Sequence, residues 1–249
     1  MLCALYRRPV PLENPEPIVS FTFDDFPRTA YSAGGPILEQ FNARGTFYCS
    51  YGLMNTCNEL GEHFCADDLD SLLDSGHELA SHTYSHISSR SLSAAAFRED
   101  VEKGRRAIEK VTGTESSNFA YPFGHVTLRA KQSLGTSVTS ARSVIPGFNG
   151  PEIDLNLLRG NSLYGNLDAA GQVEELIAEN ASRGTWLIFY THDVRPNPSP
   201  FGCTPGLLES AVSCAAQIGC RILTVREALL EAGIGGVEAK GQARQCASQ

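Results

Sequence analysis

The sequence has no long apolar run, no surplus of basic residues and no excess of glycine or proline, and each absence excludes a class of protein. No apolar stretch approaches the roughly 20 residues that a membrane-spanning helix needs. Lysine and arginine number 20 against 28 aspartates and glutamates, so the formal net charge is −8 and nucleic-acid binding is not expected. The 23 glycines and 13 prolines show no period, which excludes a collagen-like chain. With 42% hydrophobic and 19% charged residues, the chain also lacks the composition of a disordered protein.

Cys-x-x-Cys pairs are absent as well, although the chain has eight cysteines. Zinc-ribbon and thioredoxin-like sites are therefore not indicated. In a chain of 249 residues we expect these cysteines to be reduced thiols in the core rather than a disulfide framework. The N-terminal segment as given has no long apolar stretch after its charges, which is not the form of a signal peptide. A cytoplasmic location is the expectation that follows.

Short β-rich runs alternate with amphipathic helical segments about seven times along the chain. Ser93 is the predicted N-cap of a long helix that ends at Gly113. Residues 186–190 are apolar almost throughout, which indicates a strand buried on both faces. Strands that alternate with helices in one series form parallel βαβ units, so the prediction is one α/β barrel rather than two domains.

Domain limits follow from the same pattern. Residues 1–17 are rich in proline and are expected to form an extended N-terminal arm. Residues 18–233 hold the alternating elements, with two of the later strands predicted at 136–143 and 157–163. Residues 234–249 are rich in Gly, Ala and Gln and are expected to form a flexible tail.

Polar residues collect directly after three of the predicted strands. The clusters are Asp24-Asp25, His82-Thr-Tyr-Ser-His86 and His192-Asp193. Functional groups of parallel α/β folds lie at the carboxyl ends of strands. We therefore expect the three clusters to form one site.

Two imidazoles and one carboxylate are a common ligand set for catalytic zinc, with water at the remaining position. The pair His82 and His86 lacks the glutamate of the His-Glu-x-x-His motif, so a general base must come from elsewhere. Of the adjacent Asp24 and Asp25, one can bind the metal while the other lies near the water. The alternative is that the aspartates cap a helix and the histidines lie on the surface.

These clusters resemble the motifs of the NodB-homology polysaccharide deacetylases, carbohydrate esterase family 4. The resemblance covers roughly residues 18–230 and implies a distorted (β/α)7-type barrel with parallel strands. By this resemblance, Thr-Phe-Asp-Asp ending at Asp25 is the first motif, which implies Asp24 as general base and Asp25 as a metal ligand. The second motif supplies both metal imidazoles. The last motif, Ile-Phe-Tyr-Thr-His, implies His192 as general acid.

Phe-Ala-Tyr-Pro-Phe-Gly at 119–124 resembles the third motif, normally Arg-x-Pro-aromatic, which walls the substrate groove. A backbone N–H near its aromatic residue helps to bind the oxyanion in the family. The substrate-contact residues that follow from this motif and its surroundings are Tyr121, Pro122, Phe123, His125 and Arg159.

Two family residues are missing from this sequence. Ala120 stands where the third-motif arginine is expected, and no clear Asp-x-x-Asp lies in 137–155, the place of the fourth-motif aspartate that orients the acid histidine. Arg142 and Arg159 are candidates for the positive charge, and Asp154 is the candidate for the carboxylate. The residues alone do not choose between the two arginines.

The resemblance predicts a hydrolase of carbon–nitrogen bonds other than peptide bonds, which removes an acyl group, first of all N-acetyl, from a carbohydrate or acylated amino sugar. The expected cofactor is a divalent metal, Zn²⁺ before Co²⁺, Ni²⁺, Fe²⁺ or Mn²⁺. One alternative is a deformylase or another amidohydrolase on the same scaffold. The other is a non-catalytic, metal-dependent carbohydrate-binding protein, which the two missing residues favour and the presence of Asp24 and His192 opposes.

Overall fold

Strands and helices alternate along the part of the chain that the computed structural model describes, residues 5–12, 16–113, 116–135 and 137–234. The strands are β1 (Pro9–Pro11), β2 (Ile18–Asp25), β3 (Thr46–Cys49), β4 (Cys57–Asn58), β5 (Gly61–Glu62), β6 (Glu78–Ser81), β7 (Asn118–Ala120), β8 (Ser140–Arg142), β9 (Glu152–Asp154), β10 (Asn161–Ser162), β11 (Trp186–Thr191) and β12 (Arg221–Ile222). The helices are α1 (Arg28–Ser32), α2 (Gly34–Gln40), α3 (Ala66–Asp74), α4 (Ala94–Thr112), α5 (Leu128–Leu134), α6 (Ala170–Arg183), α7 (Pro205–Ile218) and α8 (Val225–Glu231).

The central sheet is parallel throughout and has the strand order β10-β11-β2-β3-β6-β7-β8, with β12 pairing with the start of β2. The sheet curls into a half-barrel with helices around it. The chain is therefore a single distorted (β/α)7-type barrel with parallel strands, and the predicted fold is confirmed. This topology brings the carboxyl ends of β2, β6 and β11 to one rim.

The middle of the sheet is buried on both faces, and most of its side chains are apolar. Every residue of β2 and β11 is buried, as the apolar run at 186–190 predicts. Phe21 and Phe189 stack with ring centroids 5.8 Å apart. Trp186 is fully buried, and its indole N–H donates to the Ser20 hydroxyl at 2.9 Å. Each such aromatic side chain contributes about 1.5–3 kcal/mol by burial alone.

Helix α4 has the ends that the sequence predicts. The Ser93 hydroxyl accepts a hydrogen bond from the Ala96 N–H, and Gly113 closes the helix in the left-handed region at φ 66°. Phe97, Val101 and Ile108 form its buried face. These features hold the segment after β6 against the sheet.

Several local elements differ from prediction. The predicted strands at 136–143 and 157–163 are shorter, since β8 and β10 contain only three and two residues. Part of the expected arm is extended and paired, because β1 lies antiparallel to β9 with Val10 opposite Ile153. The expected flexible tail lies outside the described residues apart from Ile234.

The described residues bear on two expectations, the absence of a membrane-spanning helix and the state of the cysteines. None of the helices there is long and apolar enough to cross a membrane. The six cysteines in this part of the chain are all free thiols. Cys49, Cys203 and Cys220 are buried, whereas Cys57 is exposed, so only some of them are core residues.

Candidate active site

The three polar clusters meet at the rim formed by β2, β6 and β11. β2 ends at Asp25, while His82 and His192 directly follow β6 and β11. The Nε2 atoms of His82 and His86 lie 3.3 and 3.0 Å from Asp25 Oδ1. His192 Nε2 lies 4.0 Å from Asp25 Oδ2. The structure thus brings together residues that are up to 167 positions apart in sequence.

Asp25, His82 and His86 fit a divalent cation. Their ligand atoms all lie within 4.8 Å of one another. Asp25 Oδ1 is buried and has no hydrogen-bond partner among the described residues, although two imidazole nitrogens lie close to it. A buried carboxylate oxygen without a partner is costly, and a bound cation would remove that cost.

His82 is oriented as a metal ligand by its other ring nitrogen. Its Nδ1 lies 2.9 Å from the carbonyl oxygen of Ala120. A carbonyl oxygen only accepts, so Nδ1 donates its proton to it, and in neutral His82 the Nε2 lone pair is left for a cation. Such a contact is the usual support of a metal-binding histidine.

Charge within the cluster favours an ionised carboxylate. Burial alone would raise the pKa of Asp25, but the neighbouring His82 and His86 outweigh it and hold that pKa well below its usual range. Burial alone would lower the pKa of His86, yet Asp25 outweighs it and the pKa of His86 is raised. Asp25 is therefore negatively charged and available as a ligand at neutral pH.

The backbone around the cluster is strained. Asp25, Phe26, Thr83 and His86 have φ values of 64°, 61°, 65° and 49°, in the left-handed region that non-glycine residues rarely adopt. Each such residue costs on the order of 1–3 kcal/mol and persists only where the surrounding structure imposes it. Strain of this kind is concentrated at functional sites.

Asp24 forms a buried ion pair with Arg142. Arg142 Nη2 donates to Asp24 Oδ1, and its guanidinium carbon lies 5.1 and 5.0 Å from the ring centroids of Tyr48 and Tyr190. Burial alone would lower the pKa of Arg142, but Asp24 outweighs it and raises that pKa. Arg142 on β8 stands directly opposite Ala120 on β7 in the parallel register. The neighbouring strand therefore supplies the positive charge that Ala120 cannot.

The other two candidates for the missing residues are not at the site. Arg159 Nη1 donates to the carbonyl of Pro146 at 2.9 Å. Asp154 accepts from Lys131 Nζ at 3.0 Å and from the Arg8 N–H at 2.9 Å. The structure does not place Asp154 as the residue that orients the acid histidine. Lys131 and the backbone N–H of Arg8 bind its carboxylate, and Nδ1 of His192 contacts the carbonyl of Phe201 instead.

The predicted groove wall separates into exposed and buried residues. Phe123 is 58% exposed, and its ring centroid lies 4.5 Å from that of His86. His125 follows, with its ring centroid 5.7 Å from that of Phe123. Tyr121 is only 1% exposed, and its hydroxyl donates to the Asn156 carbonyl at 3.2 Å. Pro122 is also buried.

Phe123 and His125 remain candidates for substrate contact, whereas the buried side chains of Tyr121 and Pro122 are not exposed to a substrate. Substrate contact by Arg159 stays a prediction. The side chains of Tyr121 and Pro122 are enclosed by protein and support the wall from behind. Arg159 lines a separate cavity of about 330 Å³ together with Arg7.

Sequence reasoning missed the second aromatic wall of the site. Tyr164 and Phe201 lie beside His192, with ring centroids 6.1 and 5.8 Å from its own. Phe201 is 51% exposed. Its position in a proline-rich loop just after His192 is the signal that could have indicated it. Exposed aromatic rings therefore flank both the His86 and the His192 sides of the cluster.

The polysaccharide deacetylase family model matches residues 12–137, just over half of the chain. No curated protein sequence matches the chain significantly. The chain belongs to the polysaccharide deacetylase family. It is a hydrolase of carbon–nitrogen bonds other than peptide bonds, as the sequence predicts.

Solved structures with the same fold come from bacterial, fungal and metagenomic sources. The Xyl-CE4 domain of a multidomain xylanase from the hindgut metagenome of Trinervitermes trinervoides is 22% identical, with a TM-score of 0.62 over 88% of this chain and 93% of that chain. A family 4 acetyl xylan esterase from Clostridium thermocellum in complex with a cobalt ion is 21% identical, with a TM-score of 0.56 over 88% and 93%. The chitin deacetylase of the fungal pathogen Colletotrichum lindemuthianum is 19% identical, with a TM-score of 0.62 over 87% and 89%.

Proposed function

We propose that the protein is a metal-dependent hydrolase that removes an acyl group, N-acetyl in the first place, from a carbohydrate or other sugar-containing substrate. The observation that carries this proposal is the convergence of Asp24 and His192 on the Asp25, His82 and His86 cluster. Family membership supports deacetylation of a polysaccharide. The exposed rings of Phe123 and Phe201 support a carbohydrate substrate, because sugar rings pack their apolar faces on aromatic side chains.

Asp25, His82 and His86 would hold the metal. Two imidazoles and a carboxylate suit Zn²⁺, and Co²⁺, Ni²⁺, Fe²⁺ and Mn²⁺ accept the same ligand types. The acetyl xylan esterase with this fold holds a cobalt ion. When bound, the ion lowers the pKa of water and polarises the acyl carbonyl.

Asp24 is the proposed general base. In the described part of the chain, Arg142 alone donates to its carboxylate, and it does so at Oδ1. The ion pair fixes the direction of the carboxylate while Oδ2 can take a proton from the attacking water. Arg142 itself is enclosed by the rings of Tyr48 and Tyr190, so its guanidinium has little freedom to leave.

His192 is the proposed general acid. Its Nδ1 is occupied by the Phe201 carbonyl at 3.1 Å, so Nε2 faces the cluster. As an imidazolium, His192 would give the Nε2 proton to the departing amine. Asp24 is the penultimate residue of β2 and His192 follows the adjacent strand β11, which supports a base and an acid acting on one bound acyl group.

The backbone N–H of Phe123 is a candidate donor to the oxyanion. It has no hydrogen-bond partner among the described residues, whereas the N–H groups of Gly124 and His125 donate to Tyr121 and Pro122. Phe123 also has a left-handed backbone, at φ 59°. An unpaired, fixed N–H beside His86 is suited to stabilise charge that develops on the acyl oxygen.

The alternative of a non-catalytic carbohydrate-binding protein loses its main support. Two missing residues favoured that alternative, the third-motif arginine and the fourth-motif aspartate. Arg142 supplies a guanidinium to Asp24 from the next strand, and the carbonyl of Phe201 lies at Nδ1 of His192, where the carboxylate was expected. No contact in the described residues favours a formyl over an acetyl substrate.

The test is an acyl-release assay on protein that is freed of metal and then loaded with Zn²⁺. N-acetylated chitooligosaccharides, O-acetylated xylooligosaccharides and N-formylated amino sugars form the substrate panel. We expect acetate release from an acetylated carbohydrate, loss of this activity with chelator and recovery with Zn²⁺. Release of formate alone would favour the deformylase, and tight carbohydrate binding without release would favour the non-catalytic protein.

A further inference from the structure

The loop that follows β11 holds His192 through its own backbone. Both the Nδ1 atom and the backbone nitrogen of His192 lie 3.1 Å from the carbonyl oxygen of Phe201. A carbonyl oxygen can only accept a hydrogen bond, so in neutral His192 this contact keeps the ring proton on Nδ1 and leaves Nε2 unprotonated. The carbonyl of Phe201 therefore contacts Nδ1 of His192, where the resemblance leads us to expect the carboxylate of the fourth-motif aspartate.

The Phe201 carbonyl is fixed in turn by Ser199. The Ser199 hydroxyl accepts from the Phe201 N–H at 3.2 Å and donates to Asp193 Oδ1. The Ser199 N–H donates to Asp193 Oδ2 at 2.9 Å, and its carbonyl accepts from the Gly202 N–H at 3.1 Å. Residues 199–202 thus form a turn in which four hydrogen bonds involve one serine.

The carboxylate of Asp193 accepts two of these hydrogen bonds and so holds the turn in place. Asp193 is fully buried, and its carboxylate lies 2.7 Å from Arg195 Nε and does not contact His192. Its backbone carbonyl accepts from the Cys203 N–H at 2.9 Å. A Cβ at Gly202 would lie 2.4 Å from Asp193 Oδ1, so only glycine allows the turn to pack this closely on the carboxylate.

We propose that Asp193 and Ser199 are positioning residues for His192. They fix the carbonyl of Phe201, and this carbonyl sets the tautomer and the direction of the imidazole. The effect on turnover rests on the proposed function, since it takes His192 as the general acid. The effect on the tautomer does not depend on any activity.

The spectroscopic test uses the full chain loaded with Zn²⁺ and long-range ¹H–¹⁵N spectra of the histidine rings. We expect His192 in wild type to be the Nδ1–H tautomer when neutral. Ser199→Ala removes the hydroxyl that links Asp193 to Phe201, and we expect it to give a mixture of tautomers. Ser199→Thr keeps a hydroxyl and should retain the wild-type pattern. Ser210→Ala is the matched control, because it removes a serine–carboxylate hydrogen bond to Glu174 away from the site.

The kinetic test compares an acetamide substrate with an activated acetyl ester. An amine leaving group needs a proton, and a good ester leaving group does not. We expect Ser199→Ala to lower kcat on the amide about tenfold, a fraction of the usual worth of a general acid, with KM and ester kcat within about twofold of wild type. Ser210→Ala should change none of these values.

An unchanged His192 tautomer in Ser199→Ala overturns the inference, and so do equal losses on amide and ester. If wild type releases no acyl group but Ser199→Ala still changes the tautomer, the positioning role holds and the proposed function fails. Asp193→Asn, which keeps the size but loses one acceptor, checks the same network from its buried end and should shift the tautomer in the same direction.

Discussion

Arg142 at the end of β8 reaches across the position of Ala120 on β7 and pairs with Asp24 at the end of β2. The two side chains are buried, and the rings of Tyr48 and Tyr190 enclose the guanidinium. The positive charge next to the proposed base thus comes from β8. Ala120, the position at which the resemblance places an arginine, carries no charge.

Arg142→Met should reduce both stability and turnover. It leaves Asp24 buried without its partner, and breaking a buried ion pair costs about 3–5 kcal/mol. We expect the free energy of unfolding to fall by that amount and kcat to fall about 10²-fold. The control is Asp24→Asn combined with Arg142→Met, which removes both charges and should recover most of the stability but none of the activity.

A second pair of substitutions tests whether an arginine at position 120 on β7 can replace Arg142 as the partner of Asp24. In Ala120→Arg with Arg142→Met, the new guanidinium starts from the position opposite Arg142 and can occupy the space that Arg142 has left. We expect part of the lost kcat to return relative to Arg142→Met alone. Equal kcat values in these two variants, with both folded, would mean that Asp24 needs its partner on β8.

His82→Ala should weaken metal binding severely. It removes one of three protein ligands, and the remaining Asp25 and His86 cannot enclose the ion equally well. Metal analysis after dialysis against a weak chelator checks this expectation. The matched control is His77→Ala, since His77 is also buried but is bound by Gly45 and Glu39 away from the cluster. Full metal content in His82→Ala contradicts the ligand assignment.

The metal-free protein should lose stability as the pH rises above about 6.5, the unperturbed histidine value. The pKa of His86 is raised in the folded state, so its contribution to stability is complete below that value and is lost as the pH rises through the folded pKa. His63 and His77 have lowered pKa values, mainly because of burial, and change stability only below about 6.5 and in the opposite direction.

Thermal unfolding of chelator-treated protein from pH 6 to 9 measures this effect. We expect the Tm of wild type to fall with pH and that of His86→Gln to vary much less. Asp25, whose pKa is lowered, contributes in the acid range, because its stabilisation is lost only as the pH falls through the folded pKa. Identical profiles for the two proteins would show that the Asp25–His86 contact does not stabilise the metal-free fold.

His192→Ala should lose far more activity on an amide than on an activated ester. The amine must be protonated as it leaves, whereas the ester leaving group departs as an anion. We expect a loss of at least about 10²-fold in kcat on the amide and a small change on the ester. Similar losses on both substrates would mean that His192 has a role other than protonating the leaving group.

The clustering of Asp25, His82 and His86 could be predicted from sequence because their positions follow from simple rules. Asp25 and His82 stand at strand ends, and His86 has a fixed spacing from His82. The parallel order of the strands then brings these groups to one rim. The helix over Ala94–Thr112 was predictable for a similar reason, since Ser93 and Gly113 mark its ends locally.

The contacts of Asp24 and His192 could not be predicted in this way. The partner of Asp24 depends on the register of the two short strands β7 and β8, and a slip of one residue turns Arg142 to the other face of the sheet. The partner of His192 is the carbonyl of Phe201, and every residue carries a carbonyl. Tyr121 was misassigned because an aromatic motif in sequence does not reveal which of its rings is buried.

Asp24→Asn, assayed beside wild type at equal metal content, tests the central claim most directly. The substitution keeps the size of the side chain but removes its ability to accept a proton, and the metal ligands are untouched. We predict full Zn²⁺ content, an intact fold and a loss of acetyl release of about 10²-fold or more. Acetyl release near the wild-type rate from Asp24→Asn with full metal content would contradict the account.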